Sequence, residues 1–170
     1  MANRNNPRGF VLSTRGNSGG DVQVRHYWKA SGAYLYPGDV IARGADSFLT
    51  RTLTPGTTPL LGVVQRFSDT TKAEKVPVCD QTDAVYVAMA DGSGLVEADM
   101  GLNANVKKGT ADATLKYSKD VIDSTTINTT NTLDLHLIRA VPRIDNAYGQ
   151  YVMLQVVFNA HRMYPATVGV

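Results

Sequence analysis

Between Tyr34 and Phe67 the chain holds two apolar runs that are too short and too β-branched for helices, with turn material around them. Tyr36-Pro37-Gly38-Asp39 is a turn signal. Pro presets φ, Gly accepts a positive φ without steric cost, and Asp bonds the local backbone. Val40-Ile41-Ala42 follows as a strand-forming run. Residues 46–59, rich in Thr, Pro and Gly, are too polar and broken for a buried strand. Leu60–Phe67 is apolar again, with Gly62 and no helical spacing of polar positions.

The same alternation of short apolar run and turn cluster fills the rest of the chain. Val22–Trp28 alternates and then turns aromatic, which predicts a strand with Val22 and Val24 on one face. Trp28, the only tryptophan, is expected in the core, with an interface anchor as the alternative because Trp is enriched at binding hot spots. Val76-Pro77-Val78 reads as an edge strand, since Pro cannot donate to a central ladder. Residues 84–90 form the next strand, Asp91-Gly92-Ser93-Gly94 a hairpin turn, and residues 95–98 the return strand. Residues 100–106 are expected as a loop or short helical turn, and 110–131, dominated by Thr, Asp, Asn, Ser and Lys, as a long surface excursion with Leu115-Lys116-Tyr117 and Val121-Ile122 as short extended pieces. In 132–139, Leu133, Leu135 and Leu137 share one face and Asp134, His136 and Ile138 the other. Residues 150–160 are the longest strand candidate, apolar enough for a central position.

Seven to nine short strands without an amphipathic helix predict an all-β domain, a sandwich or barrel-like arrangement of short antiparallel strands. Residues 21–170 are expected as one β domain and residues 1–20 as a flexible, extended N-terminal arm. A content of 43% hydrophobic residues in 170 supplies a core. The formal net charge of +2 argues against general nucleic-acid binding, which calls for a basic face or stripe. Cys79 is the only cysteine, so no intrachain disulfide and no cysteine-based metal site can form. No apolar run approaches the roughly 18 residues of a membrane span. The first residues lack an apolar segment of the secretory kind, so the protein is expected to be made and used without export.

Arg4, Arg8 and Arg15 precede the first acidic residue, Asp21, and flank the apolar island Phe10-Val11-Leu12. This segment is either a disordered tail or an arm that orders on an acidic neighbouring surface, with Phe10 or Leu12 as the anchor.

No catalytic constellation emerges. His26, His136 and His161 have no ligand spacing, and Cys79 sits near Asp80 and Asp83, which oppose a thiolate. The 91–94 turn lacks a phosphate-loop pattern, and Asp120 and Asp123 lack the spacing of a calcium loop and read as solvated loop carboxylates. Lys107-Lys108 and the pair Arg139 and Arg143 read as solubilising charges. No cofactor and no metal are expected, and the chain is expected not to be an enzyme.

Tyr36-Pro37-Gly38-Asp39-Val40-Ile41, Pro59-Leu60-Leu61-Gly62-Val63-Val64 and the late strand Tyr148–Phe158 make the chain similar to capsid decoration (cement) proteins of tailed bacteriophages. The resemblance implies an all-β domain, made in the host cytoplasm, that binds the outer surface of the major capsid protein shell and stabilises the head. It implies a homo-oligomer, a trimer or else a dimer, at symmetry axes, with neither nucleic acid nor membrane as partner. Arg4, Arg8, Phe10, Leu12 and Arg15 are the expected shell contacts. The Thr-rich segment 110–131 has no counterpart in that resemblance. The alternative is another virion β-module of a tail, fibre or receptor-binding kind.

Overall fold

The computed structural model describes residues 3–14 and 23–162. Among them are eleven strands: β1 (Val11–Thr14), β2 (Val24–Lys29), β3 (Val40–Arg43), β4 (Leu49–Thr50), β5 (Leu60–Val64), β6 (Glu74–Cys79), β7 (Val85–Met89), β8 (Asn103–Lys107), β9 (Val121–Asn128), β10 (Leu135–Ala140) and β11 (Met153–Phe158). The helical content of the described residues is one 3-10 turn, Glu97–Asp99.

The strands make two sheets. One is six-stranded, in the order β1-β7-β11-β10-β8-β9, and its neighbours are antiparallel. The other closes into a barrel, β2-β4-β3-β5-β6, antiparallel except for β2 and β4. The all-β expectation holds, and the sandwich-like pair of sheets has one member rolled on itself.

Two apolar cores follow from this closure. The larger gathers Val40, Leu60 and Val63 of the barrel with Tyr86, Leu135, Leu154 and Phe158 of the six-stranded sheet. The smaller is the barrel interior, with Leu35, Ile41, Leu61, Val64, Val76 and Val78. Strands β3 and β5 serve both, which is why Val40-Ile41 and Leu60–Val64 are apolar without a break. In β5 an extra residue, Leu61, has no partner on β3: Ile41 pairs with Gly62 and Ala42 with Leu60. Such a bulge re-aims the side chains on either side of it. Gly62 is required there, because a Cβ would lie 2.2 Å from the Cys79 carbonyl oxygen of β6.

Several sequence expectations are corrected. β6 is no edge strand, since it pairs with both β2 and β5. Pro77 is tolerated because the β5 ladder ends at Val64↔Val78, and the Pro77 carbonyl accepts from Gln65 N just beyond it. Residues 103–107 form β8 instead of a loop, and the short extended piece expected at Val121-Ile122 is the start of a full strand, β9, which runs on to Asn128 and pairs with β8. The return strand after the 91–94 turn does not form; Leu95 bridges Gly149 and the chain enters the 3-10 turn. The polar stretch 46–59 still contributes the two residues of β4. Asp134, which alternation puts on one face with His136 and Ile138, lies just before β10 and is buried, where it accepts from Val106 N at 2.9 Å and Gly56 N at 3.2 Å.

The N-terminal segment is also built into the fold as far as it is described. β1 pairs with β7 at Val11↔Val87 and Leu12↔Tyr86. Gly9, at φ +70, packs against Gly38, whose carbonyl accepts from Phe10 N at 3.0 Å. Phe10 then enters the larger core. Residues 1–2 and 15–20 of the expected arm lie outside the described residues.

Candidate functional site

The turn Tyr36–Asp39 is tied to the β8–β9 connection by a buried charge junction. Asp39 Oδ2 accepts from Tyr36 N at 2.8 Å, closing the turn. Asp120 Oδ2 accepts from Val40 N at 3.0 Å and from Lys108 Nζ at 2.7 Å. Its Oδ1 accepts from Gly109 N at 3.2 Å and Arg51 Nη2 at 3.3 Å. Arg51 Nε lies 3.0 Å from Asp39 Oδ2, an ion-pair contact without the alignment of a hydrogen bond. The Lys108 ammonium also donates to the Val40 carbonyl.

Both carboxylates are fully buried. Burial, reinforced by the Asp120 charge and opposed by Arg51, raises the pKa of Asp39 above the usual carboxylate range. Burial likewise lowers Lys108, against the pull of Asp120. The two carboxylates and two cations balance each other and bond the backbone. The junction therefore holds the barrel against the six-stranded sheet, and it corrects the reading of Asp120 as a solvated loop carboxylate and of Lys108 as a solubilising charge.

The outward surface of the barrel is different in character. Strand β2 turns Tyr27 and Lys29 inward and leaves Val24, His26 and Trp28 outside. Polar partners hold the inward pair: the Tyr27 hydroxyl donates to Asp80, and the Lys29 ammonium donates to the carbonyls of Asp69 and, at 3.0 Å, Lys72. The apolar residues of this strand are left in water, with Val24 at 42% and Trp28 at 51% exposure. This corrects the expectation of a core tryptophan. The Lys75 ammonium sits 5.4 Å from the Trp28 ring centroid, a cation–π contact.

Trp28 lines a groove of about 380 Å³ between β2 and the β3–β4 hairpin. The hairpin wall contributes Arg43, Asp46, Ser47 and Phe48. Its turn is held by Gly44 N donating to Phe48 O at 2.8 Å and by Asp46 Oδ1 accepting from Phe48 N at 3.1 Å. Ser47 takes φ +68, and its carbonyl accepts from Arg43 Nε at 3.2 Å. Strand β2 pairs with β6 along its whole length but with β4 only at Lys29↔Leu49. The groove is the resulting seam in the barrel wall.

A second aromatic surface joins Tyr34, Tyr36 and Phe67, with centroids 5.3 to 6.5 Å apart and the Lys116 ammonium 4.7 Å from the Phe67 centroid. Tyr34 is half exposed.

The expected contact residues of the N-terminal segment differ in exposure as far as they are described. Arg4 and Arg8 are exposed, and the Arg8 guanidinium lies 5.8 Å from the Tyr117 centroid. Phe10, 1% exposed, is withdrawn into the core, and Leu12 is half-buried against it. Arg15 lies outside the described residues.

The histidines stay apart in role: His26 lines the groove, His136 Nδ1 is 2.9 Å from Asn103 Oδ1, and His161 is buried against Phe158. Cys79 is buried. Asp91 bonds Ser93 N, the Ser124 hydroxyl and Lys107 Nζ, so the 91–94 turn is braced internally. Asp123 Oδ1 accepts from Thr125 N at 3.1 Å and its hydroxyl at 2.6 Å. Arg139 donates to Gln155 at 2.7 Å and Arg143 pairs with Asp145 at 3.0 Å. Among the described residues no three His, Cys, Asp or Glu side chains gather to hold a metal ion, and no helix is long and apolar enough to cross a membrane.

Sequence reasoning missed the exposed groove. The available signal was the phase of β2, which puts Tyr27 with Lys29 on one face and Val24 with Trp28 on the other; which face is covered is decided by distant partners. Comparison of the chain with protein-family models, with curated proteins and with solved structures finds no match.

Proposed function

We propose that this chain is a structural virion protein, a capsid decoration protein that binds the outer surface of a tailed-phage head and stabilises it by bridging neighbouring shell subunits. It acts by non-covalent contact and converts no substrate. The observation that carries the reading is the inverted strand β2, which buries Lys29 and leaves Val24 and Trp28 in water. Exposed tryptophan is a large apolar contact area, and its burial in an interface is where binding energy concentrates. The scaffold behind it suits a protein that clamps its neighbours, with two cores, no disulfide, and a buried charge junction that fixes one sheet against the other. Many symmetric copies convert weak individual contacts into stable attachment.

The test is incubation of purified protein with undecorated heads, followed by imaging. Regular added density on the outer lattice is expected, and bare heads at saturating protein would overturn the reading. Light scattering on the eluted protein is expected to give a multiple of 18.3 kDa, three-fold or else two-fold.

A second reading, a receptor-binding module of a tail or fibre, draws on the same groove. Trp28 beside His26, Asp46 and Ser47 offers a stacking face with polar neighbours, the chemistry of saccharide recognition. A glycan array separates the two: saccharide binding that W28A abolishes would favour the fibre.

A further inference from the structure

The seam beside β2 is more than an exposed tryptophan. Antiparallel pairing with β6 uses one edge of β2, and the other edge pairs with β4 only at Lys29↔Leu49. Among the described residues no strand pairs with this edge from Arg25 to Trp28, so alternate N–H and C=O groups have no ladder partner there, beside the groove that His26, Tyr27 and Trp28 line. The β3–β4 hairpin, which precedes the two residues of β4, turns at Ser47, which takes φ +68 and whose carbonyl accepts from Arg43 Nε. An unpaired ladder edge is a template for an added strand.

The side chains around this edge define the strand it takes. Trp28 and Phe48 supply apolar walls. Arg43 and Lys75 supply two positive charges, against the single carboxylate of Asp46, one oxygen of which already accepts from Phe48 N. The lining is thus net positive.

We infer that the β2 seam binds an extended segment of the shell protein by strand addition, and that this segment carries an acidic side chain and an apolar one. The backbone of the segment completes the β2 ladder, its carboxylate meets Lys75 and Arg43, and its apolar side chain lies on Trp28. This inference rests on the decoration reading and names the surface and the chemistry of the partner.

Undecorated heads serve as the probe, with wild type, W28A, K75E and a control, I144S, in the exposed β10–β11 connection. Thermal midpoints of the free proteins check folding, and K75E keeps the test open should W28A misfold. W28A and K75E are expected to weaken head binding at least tenfold, with I144S unchanged. Amides within Arg25–Trp28 are expected to gain protection from hydrogen exchange when wild type is bound. If wild type binds heads and both variants bind equally well, the seam is not the docking site and the decoration reading stands. If the variants lose binding but these amides gain no protection, strand addition is overturned and a side-chain contact, such as a saccharide would make, takes its place. Failure of wild type to bind heads removes the decoration reading and this inference with it.

Discussion

The Lys108 ammonium lies 2.7 Å from Oδ2 of Asp120, and the same oxygen accepts from Val40 N at 3.0 Å. One carboxylate thus binds a cation from its own connection and the first peptide of β3, 80 residues away. Removing it leaves Val40 N, Gly109 N, Lys108 and Arg51 without their shared acceptor. Breaking a buried charge network from one side costs about 3 kcal/mol. D120A is expected to lower unfolding free energy by that amount in urea titration, and a loss under about 1 kcal/mol would mean the junction is incidental.

Phe10 separates a structural from a binding role for the N-terminal segment. Truncating a buried Phe costs about 3 to 5 kcal/mol. F10A is expected to lose stability on that scale, and deletion of residues 1–15 at least as much, because it also removes β1. R4E/R8E changes two exposed charges and is expected to shift stability by no more than about 0.5 kcal/mol. Equal unfolding midpoints for F10A and R4E/R8E would contradict the placement of Phe10.

Trp28 gives a direct optical test, since it is the only tryptophan. Half exposed, it is expected to emit at the long-wavelength end of the indole range in the folded state and to be quenched by acrylamide. W28A is expected to change stability by under about 0.5 kcal/mol, as an exposed substitution does. Blue-shifted, unquenchable emission would place the ring in the core.

Burial holds His136 and His161 below the ordinary histidine value, in His161 against the pull of the Asp80 charge. Below about pH 6.5 the unfolded chain takes up protons that the folded chain refuses. Histidine-linked stability is therefore lost as pH falls from about 7 toward the lowered folded values. Asp39 and Asp134, raised by burial, act in the opposite sense, so the measurement is a difference. The stability of wild type relative to H136Q/H161Q is expected to shrink between about pH 7 and pH 5 in urea titrations. A constant difference would show that neither ring is shielded.

Much of the architecture was legible from local pattern. Period-two alternation marks Leu135 and Leu137 as buried beside the more exposed His136, and unbroken apolarity marks β11 as a central strand, between β7 and β10. Turn chemistry at Pro37-Gly38-Asp39 identifies a real turn. The contact surface was not legible in the same way. The N-terminal residues that looked like an arm include Phe10, which the core takes, and the tryptophan that looked like core lies in a groove.

Strand-forming runs, turn residues and a single cysteine are local properties, and they are enough to dictate an all-β chain of short strands with no intrachain disulfide. The closure of five strands into a barrel, the turning of Val24 and Trp28 of β2 to water, and the meeting of Asp39, Asp120, Lys108 and Arg51 come from long-range packing. Alternation along a strand tells that two faces exist and not which one is covered. That choice rests on partners far along the chain, such as Tyr27 with Asp80 and Val40 with Asp120.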